Sequence, residues 1–214
     1  MMNKSQIFWD RHAKDFESNE KQFESASREI IARTKEYLNA DDNVLDFGCA
    51  TGTKTLELAD LVKHIHGLDY SAGMISEAII RKNRVDVKNV SFSQGTIFDD
   101  DLEKASFDKI TAYAIIHLME DCDKVIQRIH AMLKPCGLFI STTACLKDRM
   151  DFKTRLNFTK LRFMRLLGLF PLHLNMFRTS DIERLMIKQN FKIVNAEKVF
   201  FNEMTIYFIV AEKR

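Results

Sequence analysis

The chain has 214 residues, of which 46% are hydrophobic and 29% charged, and its net charge is +2. That length fits one large domain around one core, the composition is too apolar for a disordered chain, and the near-neutral total gives no argument for a nucleic-acid partner. No stretch reaches the roughly 18 apolar residues of a membrane span, and the N-terminal MMNKSQIFWDRHAKDF lacks the apolar centre of a signal peptide. Cys49, Cys122, Cys136 and Cys145 have neither zinc nor redox spacing, so a reduced cytoplasm is the expected compartment.

Glycine and proline are scarce, seven and two, so each one marks a turn. VLDFG (Val44–Gly48) is a short apolar run ending in a glycine, and LELADLV after it has helical patterning. HIHGLDY (His64–Tyr70) reads as a second strand and SAGMISEAIIRKN as the helix after it. VSFSQG (Val90–Gly95) alternates with period two, and KITAYA (Lys109–Ala114) is a fourth strand. From Asp121 to Leu133, the spacing of Val125, Ile126, Ile129, Met132 and Leu133 gives a helical face, which KPCG stops before LFISTTAC. Strands alternating with helices predict βαβ units and a largely parallel sheet. The end differs: after TSDIERLMIKQN, a helix with Thr179 or Ser180 as N-cap, FKIVNAEKVFF and MTIYFIVAEKR are separated by only a few residues around Asn202 and Glu203. So short a link cannot hold a crossover helix, and the two strands are expected to pair antiparallel.

The first strand of a doubly wound sheet delivers its ligand loop at the carboxyl edge. Here that loop is DFGCATG (Asp46–Gly52), with Ala50 where a dinucleotide fingerprint has the glycine that approaches pyrophosphate. A ligand without pyrophosphate does not need that glycine. Asp69 ends the second strand, the place from which a carboxylate accepts hydrogen bonds from a ribose diol. A phosphate-free nucleoside is the ligand these features suggest.

In these residues the sequence resembles the class I S-adenosylmethionine-dependent methyltransferases, in particular the small bacterial methyltransferase type 11 group, over nearly the whole chain. DFGCATG resembles the family's D-x-G-x-G-x-G, and GLDYSAGMI its acidic second strand end; QGTIF stands where G-D-A is common. FDKITAYAIIHLMED resembles the fourth-strand motif, and MLKPCGLFIST resembles L-K-P-G-G before the fifth strand, with Cys136 for a glycine. The resemblance implies a Rossmann-like α/β fold, a seven-stranded sheet in order 3-2-1-4-5-7-6 with the last strand antiparallel and helices on both faces. It implies S-adenosylmethionine as cofactor. Asp46 would position the methionine ammonium, and Gly48, Cys49, Ala50, Thr51 and Gly52 would line the methionine portion. Asp69 would hold the ribose hydroxyls, with Tyr70 and Met74 near ribose and adenine. Gly95, Thr96 and Ile97 would meet the adenine, Thr96 replacing the usual acid. Trp9 and Phe16 are candidate lid residues in an N-terminal segment, 1–40, that covers the cofactor in relatives; a hydrophobic staple onto the next helix explains them equally.

Methyl transfer from a sulfonium is an in-line displacement that needs alignment more than catalytic side chains, and proximity supplies roughly 7–11 kcal/mol. Tyr113, at the end of the fourth strand, is expected to face the methyl position or to close the pocket. His117 is a candidate base for an acidic acceptor, since an imidazole of pKa about 6.5 suits proton transfer near neutrality; a packed, hydrogen-bonded histidine is the other reading. His64 and His66 share one strand face, but two ligands without nearby carboxylates do not make a metal site, and none is expected. The Pro135–Cys136 pair precedes the fifth strand, which sets it apart from the cytosine-methylating nucleophile. No N-P-P-Y stretch follows the fourth strand, which argues against adenine amino methylation.

The longest connection, residues 146–178, is expected to form a helical cap over a single domain spanning 1–214. Phe152, Leu156, Phe163, Leu167 and Phe170 fall on one helical stripe, while Phe158, Leu161 and Leu169 lie off it, so two faces need burial. Lys147, Arg149, Lys153, Arg155, Lys160, Arg162, Arg165 and Arg178 against Asp148 and Asp151 give this segment a net +6, which leaves −4 elsewhere in a chain of total +2. Such a helix is compatible with peripheral membrane contact through 152–170; a cap whose Lys and Arg stems are solvated is the favoured reading. The expected activity is methylation of a small, apolar acceptor. The alternatives are an RNA or protein methyltransferase and a nucleoside-binding regulatory module without turnover. The oligomeric state is left open by the sequence.

Overall fold

The computed structural model describes residues 4–148, 152–201 and 204–214; Arg149, Asp151 and the link at Asn202 and Glu203 lie outside the described residues. Seven strands, β1 (Asn43–Phe47), β2 (His64–Asp69), β3 (Val90–Gln94), β4 (Phe107–Tyr113), β5 (Leu133–Ala144), β6 (Phe191–Phe201) and β7 (Met204–Lys213), form one sheet in the order β3-β2-β1-β4-β5-β7-β6. β3, β2, β1, β4 and β5 pair in parallel, and β7 runs antiparallel to both β5 and β6, as the short terminal link requires.

Eight α-helices are described: α1 (Lys4–His12), α2 (Phe16–Glu20), α3 (Glu24–Lys35), α4 (Thr53–Leu58), α5 (Ala72–Lys82), α6 (Cys122–Met132), α7 (Phe152–Leu166) and α8 (Thr179–Lys188). The period of two along each strand decides which helix meets which face. On β7, Tyr207, Ile209 and Ala211 join a core with Ile126 and Ile129 of α6 and Ile182 and Met186 of α8. Phe208 and Val210, between them, face Ile30 of α3 on the opposite side. Ile126, Ile129, Ile182 and Met186 have no solvent exposure. Each such burial is worth about 1.5–3 kcal/mol, so truncating any of them to alanine costs about 2–5 kcal/mol.

Two local expectations are corrected. KPCG does not separate helix from strand. Helix α6 ends at Met132, β5 begins at Leu133, and the tetrapeptide forms an irregularity inside the strand, the partner of Phe107 being Leu133 and that of Lys109 being Leu138. Cys136 takes φ 60°, the conformation for which the motif's glycine is suited. At α8 neither Thr179 nor Ser180 is the N-cap. Arg178 precedes the helix, its N–H donates to Asp181 Oδ2 at 2.8 Å, and the Thr179 N–H donates to Asp148 Oδ2 at 3.1 Å. Carboxylates therefore satisfy donors that a hydroxyl was expected to take.

The cap helix α7 stops where glycine allows it. Gly168 has φ 70°, its N–H bonds Arg165 O at 2.8 Å, and the Leu169 N–H bonds Met164 O at 2.9 Å. These two bonds make a Schellman ending. Phe170 consequently lies beyond the helix and leaves the stripe drawn for it, packing its ring 6.2 Å from that of Phe8 in α1. No helix among the described residues is long and apolar enough to cross a membrane.

Candidate active site

At the carboxyl end of β1 the chain must turn sharply into α4, and it does so with three left-handed residues: Gly48 at φ 74°, Ala50 at 49° and Gly52 at 75°. The N–H groups of Gly48 and Cys49 both bond Leu68 O, at 2.8 and 3.1 Å, which fastens the bend to β2. A Cβ at Gly48 would stand 3.0 Å from the Ile115 side chain, and one at Gly52 2.5 Å from Phe92 Cζ. Gly48 faces the cleft, but Gly52 lines none of it; its second constraint is the ring of Phe92.

The buried Asp46 does not present a free carboxylate. Thr55 Oγ1 donates to its Oδ2 at 2.5 Å and Thr111 Oγ1 to its Oδ1 at 2.8 Å. Burial raises its pKa, with the two hydroxyls opposing. Asp69, at the end of β2, accepts the Ala50 N–H on Oδ2 at 3.1 Å and the Ser71 N–H on Oδ1 at 2.9 Å. Each oxygen keeps lone-pair capacity for one more donor. Burial pushes this carboxyl up to about 6, against the two backbone donors.

The N-terminal helices close over this edge. Asp10 Oδ1 accepts from Ser71 Oγ at 2.7 Å and from the Gly73 N–H at 2.9 Å, bonding α1 to the first turn of α5. The approach is close enough that a Cβ on Gly73 would lie 2.9 Å from Asp10 O. Ser5 shares a hydrogen bond with the Tyr70 hydroxyl at 2.7 Å. From α2, Glu17 Oε1 accepts from Thr53 Oγ1 at 2.7 Å and from Thr51 Oγ1, and Arg81 stands 3.6 Å away. Burial works to raise the Glu17 pKa, but Thr51, Thr53, Arg81 and Lys54 together bring it below the ordinary value.

Two connected chambers result, of about 730 and 270 Å³, sharing the walls Trp9, Gly48, Asp69, Tyr70, Ile115, Leu118 and Leu172. Asp46, Cys49, Ala50, Thr51, Met74, Phe16, Tyr113 and His117 line the larger one. Gly95, Thr96 and Ile97 line the smaller, with Phe98, Met119 and His173. The structure thus gathers every expected site residue except Gly52. It adds the apolar Phe158, Leu161, Phe170, Leu172 and Leu174 from the cap.

The Thr96 hydroxyl is committed within its own turn, donating to Asp99 Oδ1 at 2.6 Å. Asn175 Nδ2 donates to Met119 O at 2.6 Å, so its Oδ1 is the acceptor for His173 Nε2 at 3.0 Å. His173 Nδ1 is then the bare nitrogen, and it is buried without a partner. Tyr113 is tied back: its hydroxyl donates to Thr34 Oγ1 at 3.0 Å, Thr34 passes its own proton to Ile30 O at 2.9 Å, and burial drives the phenol pKa upward. His117 follows β4 in a 3-10 turn, Ile116–Leu118, whose position is fixed by the Asn175 N–H bonding His117 O at 2.7 Å. Its Nδ1 is buried with no hydrogen-bond partner, and burial lowers the imidazole pKa to about 4.

His64 and His66 belong to a hydrogen-bonded ladder with serines. His66 bonds Ser91 Oγ at 2.7 Å and Ser93 Oγ at 2.9 Å, and His64 bonds Ser91 Oγ at 3.2 Å.

A mostly parallel sheet with a glycine bend after its first strand and a carboxylate ending the second is the arrangement in which doubly wound α/β proteins bind nucleotide-like ligands. Residues 38–174 match a family model described as a methyltransferase domain, and the chain belongs to that family, as a class I S-adenosylmethionine-dependent methyltransferase. It is 23% identical over 172 residues to a probable S-adenosylmethionine-dependent methyltransferase of Mycolicibacterium smegmatis, which covers 80% of this chain and 60% of that one. The chain therefore spans 60% of that relative's length. The solved structure of YcgJ from Bacillus subtilis has the same fold, with TM-score 0.72 at 17% identity over 87% of this chain and 99% of that one. Phosphoethanolamine N-methyltransferase 2 of Haemonchus contortus, in complex with S-adenosyl-L-methionine, also gives TM-score 0.72 at 17% identity, over 87% of this chain and 52% of that one.

Proposed function

We propose that this methyltransferase acts on a small acceptor with a substantial apolar part, bound in the larger chamber beneath the cap. The observation that carries this reading is the wall formed by Phe158, Leu161, Phe170, Leu172 and Leu174, which extends the chamber beyond the glycine bend. An apolar group set against that wall gives up no hydrogen bonds, while Glu20, Lys21, Glu24, Arg28 and Lys54 elsewhere in the chamber can meet the acceptor's polar part.

The residues fit S-adenosylmethionine. Asp69 has lone pairs left for a ribose diol, and the bend from Gly48 to Thr51 admits the methionine portion because glycine keeps its wall free of a Cβ. In the smaller chamber, adenine would pack against Ile97, Phe98 and Leu118. With Thr96 engaged by Asp99, the unpartnered His173 Nδ1 is the better acceptor for an exocyclic amine. Trp9 and Phe16 would close the cleft and exclude water. Asp46 acts on the methionine end through the placement of the bend, its oxygens being held by Thr55 and Thr111. When bound, S-adenosylmethionine supplies a methyl group on a positively charged sulfur. The chain's own contribution is to align the acceptor and to take its proton. His117 is placed to accept that proton, since it lines the chamber and its buried Nδ1 has no other partner; its pKa of about 4 keeps it neutral at physiological pH and makes it a weaker base than a free imidazole. Tyr113, with its proton directed to Thr34, is a wall of the pocket and not a base.

The test uses S-adenosylmethionine labelled in its methyl group. Incubation with solvent-extracted lipids, phosphoethanolamine, RNA and protein fractions should place label in the organic-soluble fraction. Label in phosphoethanolamine alone would overturn the apolar acceptor, and label in RNA or protein alone would overturn the small-molecule reading.

A further inference from the structure

Helix α7 has two apolar faces, and the cleft uses only one. Phe158 and Leu161 line the larger chamber. On the other side Phe152 is 81% exposed, Leu156 59%, Phe163 60% and Leu166 85%, followed by Leu167 at 58% and Leu169 at 67%. At 3.6 residues per turn, Phe152, Leu156, Phe163 and Leu166 fall within roughly 80° of arc. Elsewhere large exposed apolar side chains are scattered along the surface, which is ordinary. Here they are contiguous.

The charge around them is of one sign. The helix FKTRLNFTKLRFMRL contains no Asp or Glu. Arg155 and Lys160, both exposed, flank the stripe on its two sides. A second copy of the chain would bring two acid-free basic helices together, an arrangement opposed by like-charge repulsion. A bilayer containing anionic phospholipid satisfies both features, since the apolar stripe enters the acyl boundary while the flanking cations meet the headgroups.

We propose that the outer face of α7 docks on an anionic phospholipid bilayer. Because the inner face of the same helix walls the cleft, docking places the mouth of the larger chamber at the lipid surface. An apolar acceptor can then enter without crossing water. That consequence rests on the function proposed above; the docking itself does not.

The experiment is co-sedimentation of the protein with vesicles of phosphatidylcholine alone and of phosphatidylcholine mixed with phosphatidylglycerol, without acceptor or turnover. The wild-type chain should bind the mixed vesicles, less tightly at high salt, and bind phosphatidylcholine alone weakly. The double variant Phe163→Glu/Leu166→Glu should lose about tenfold or more of that affinity while its melting shift with S-adenosylhomocysteine matches wild type. Arg155→Gln/Lys160→Gln should reduce both binding and its salt dependence. Wild-type protein that stays in the supernatant would overturn the proposal, as would undiminished binding by the Glu variant. A wild-type dimer that the Glu variant converts to monomer would also overturn it, showing a second copy on this face. Failure here leaves the labelling test of the acceptor standing, because vesicle binding is read without methyl transfer.

Discussion

The N–H of Ala50 donates to Asp69 Oδ2 at 3.1 Å across nineteen residues of sequence, so the carboxylate proposed to hold the ribose also fixes the bend beneath it. Asp69 has two roles, and they separate with pH. Its pKa of about 6 means that the ionised form, which ribose hydroxyls favour, is depleted below pH 6. Affinity for S-adenosylhomocysteine should fall about tenfold between pH 7 and pH 5. Calorimetry on Asp69→Asn should show weaker binding at neutrality and no such pH dependence; a parallel dependence in the variant would remove Asp69 from the ribose site.

Ala50 holds a left-handed φ of 49°. An L-residue there costs about 1–2 kcal/mol, while glycine gives the unfolded chain freedom worth about 0.4–1 kcal/mol. Ala50→Gly is expected to be neutral or stabilising by up to about 1 kcal/mol, with cofactor affinity retained. Ala50→Val, β-branched at positive φ, should destabilise by more than about 1 kcal/mol. Denaturant midpoints check both.

His117 and Asp69 should contribute to acid stability with opposite signs. The His117 pKa is depressed from 6.5 to about 4, so its contribution is present above pH 6.5 and is lost as pH falls towards 4. The Asp69 pKa is raised from 3.8 to about 6, so its contribution is present below pH 3.8 and is lost as pH rises through 6. Thermal scans should show His117→Gln flattening the acid limb and Asp69→Asn steepening it.

Catalysis should distinguish His117 from Tyr113. His117→Gln is expected to lower kcat by about 100-fold, in the usual range for losing a general base, with little change in S-adenosylhomocysteine affinity. Tyr113→Phe removes the bond to Thr34 and should cost about 1 kcal/mol of stability, leaving kcat within a few-fold. Single-turnover rates on the labelled acceptor measure the difference.

The N-terminal cover is held by two carboxylates, Asp10 on Ser71 and Gly73, and Glu17 on Thr51 and Thr53. Asp10→Ala and Glu17→Ala should each speed proteolytic cleavage within residues 4–23 and raise the dissociation rate of S-adenosylhomocysteine by about tenfold. Cleavage and dissociation unchanged from wild type would mean that the cover is held by its other contacts, the bonds of Ser5 and Gln6 to Tyr70 and its apolar packing.

The reversed last strand and the glycine bend were legible in the sequence because connection length and positive φ each leave a local residue signature, whereas the strand order followed from the family resemblance. Ala50 and Asp69 could be placed at the cleft for the same reason. Tertiary structure alone decided what each carboxylate holds: Thr55 and Thr111 occupy Asp46, Asp10 reaches α5, and Glu17 bridges two threonines, all through pairs that no spacing rule connects. It also assigned Tyr113 to Thr34 and left His117 Nδ1 without a partner, although the two residues lie four apart. Gly52 was read as a ligand contact when its constraint is the ring of Phe92, which arrives from β3. Backbone conformation and hydrophobic period are written along the chain, whereas hydrogen-bond partners and pKa shifts depend on which surfaces meet in three dimensions.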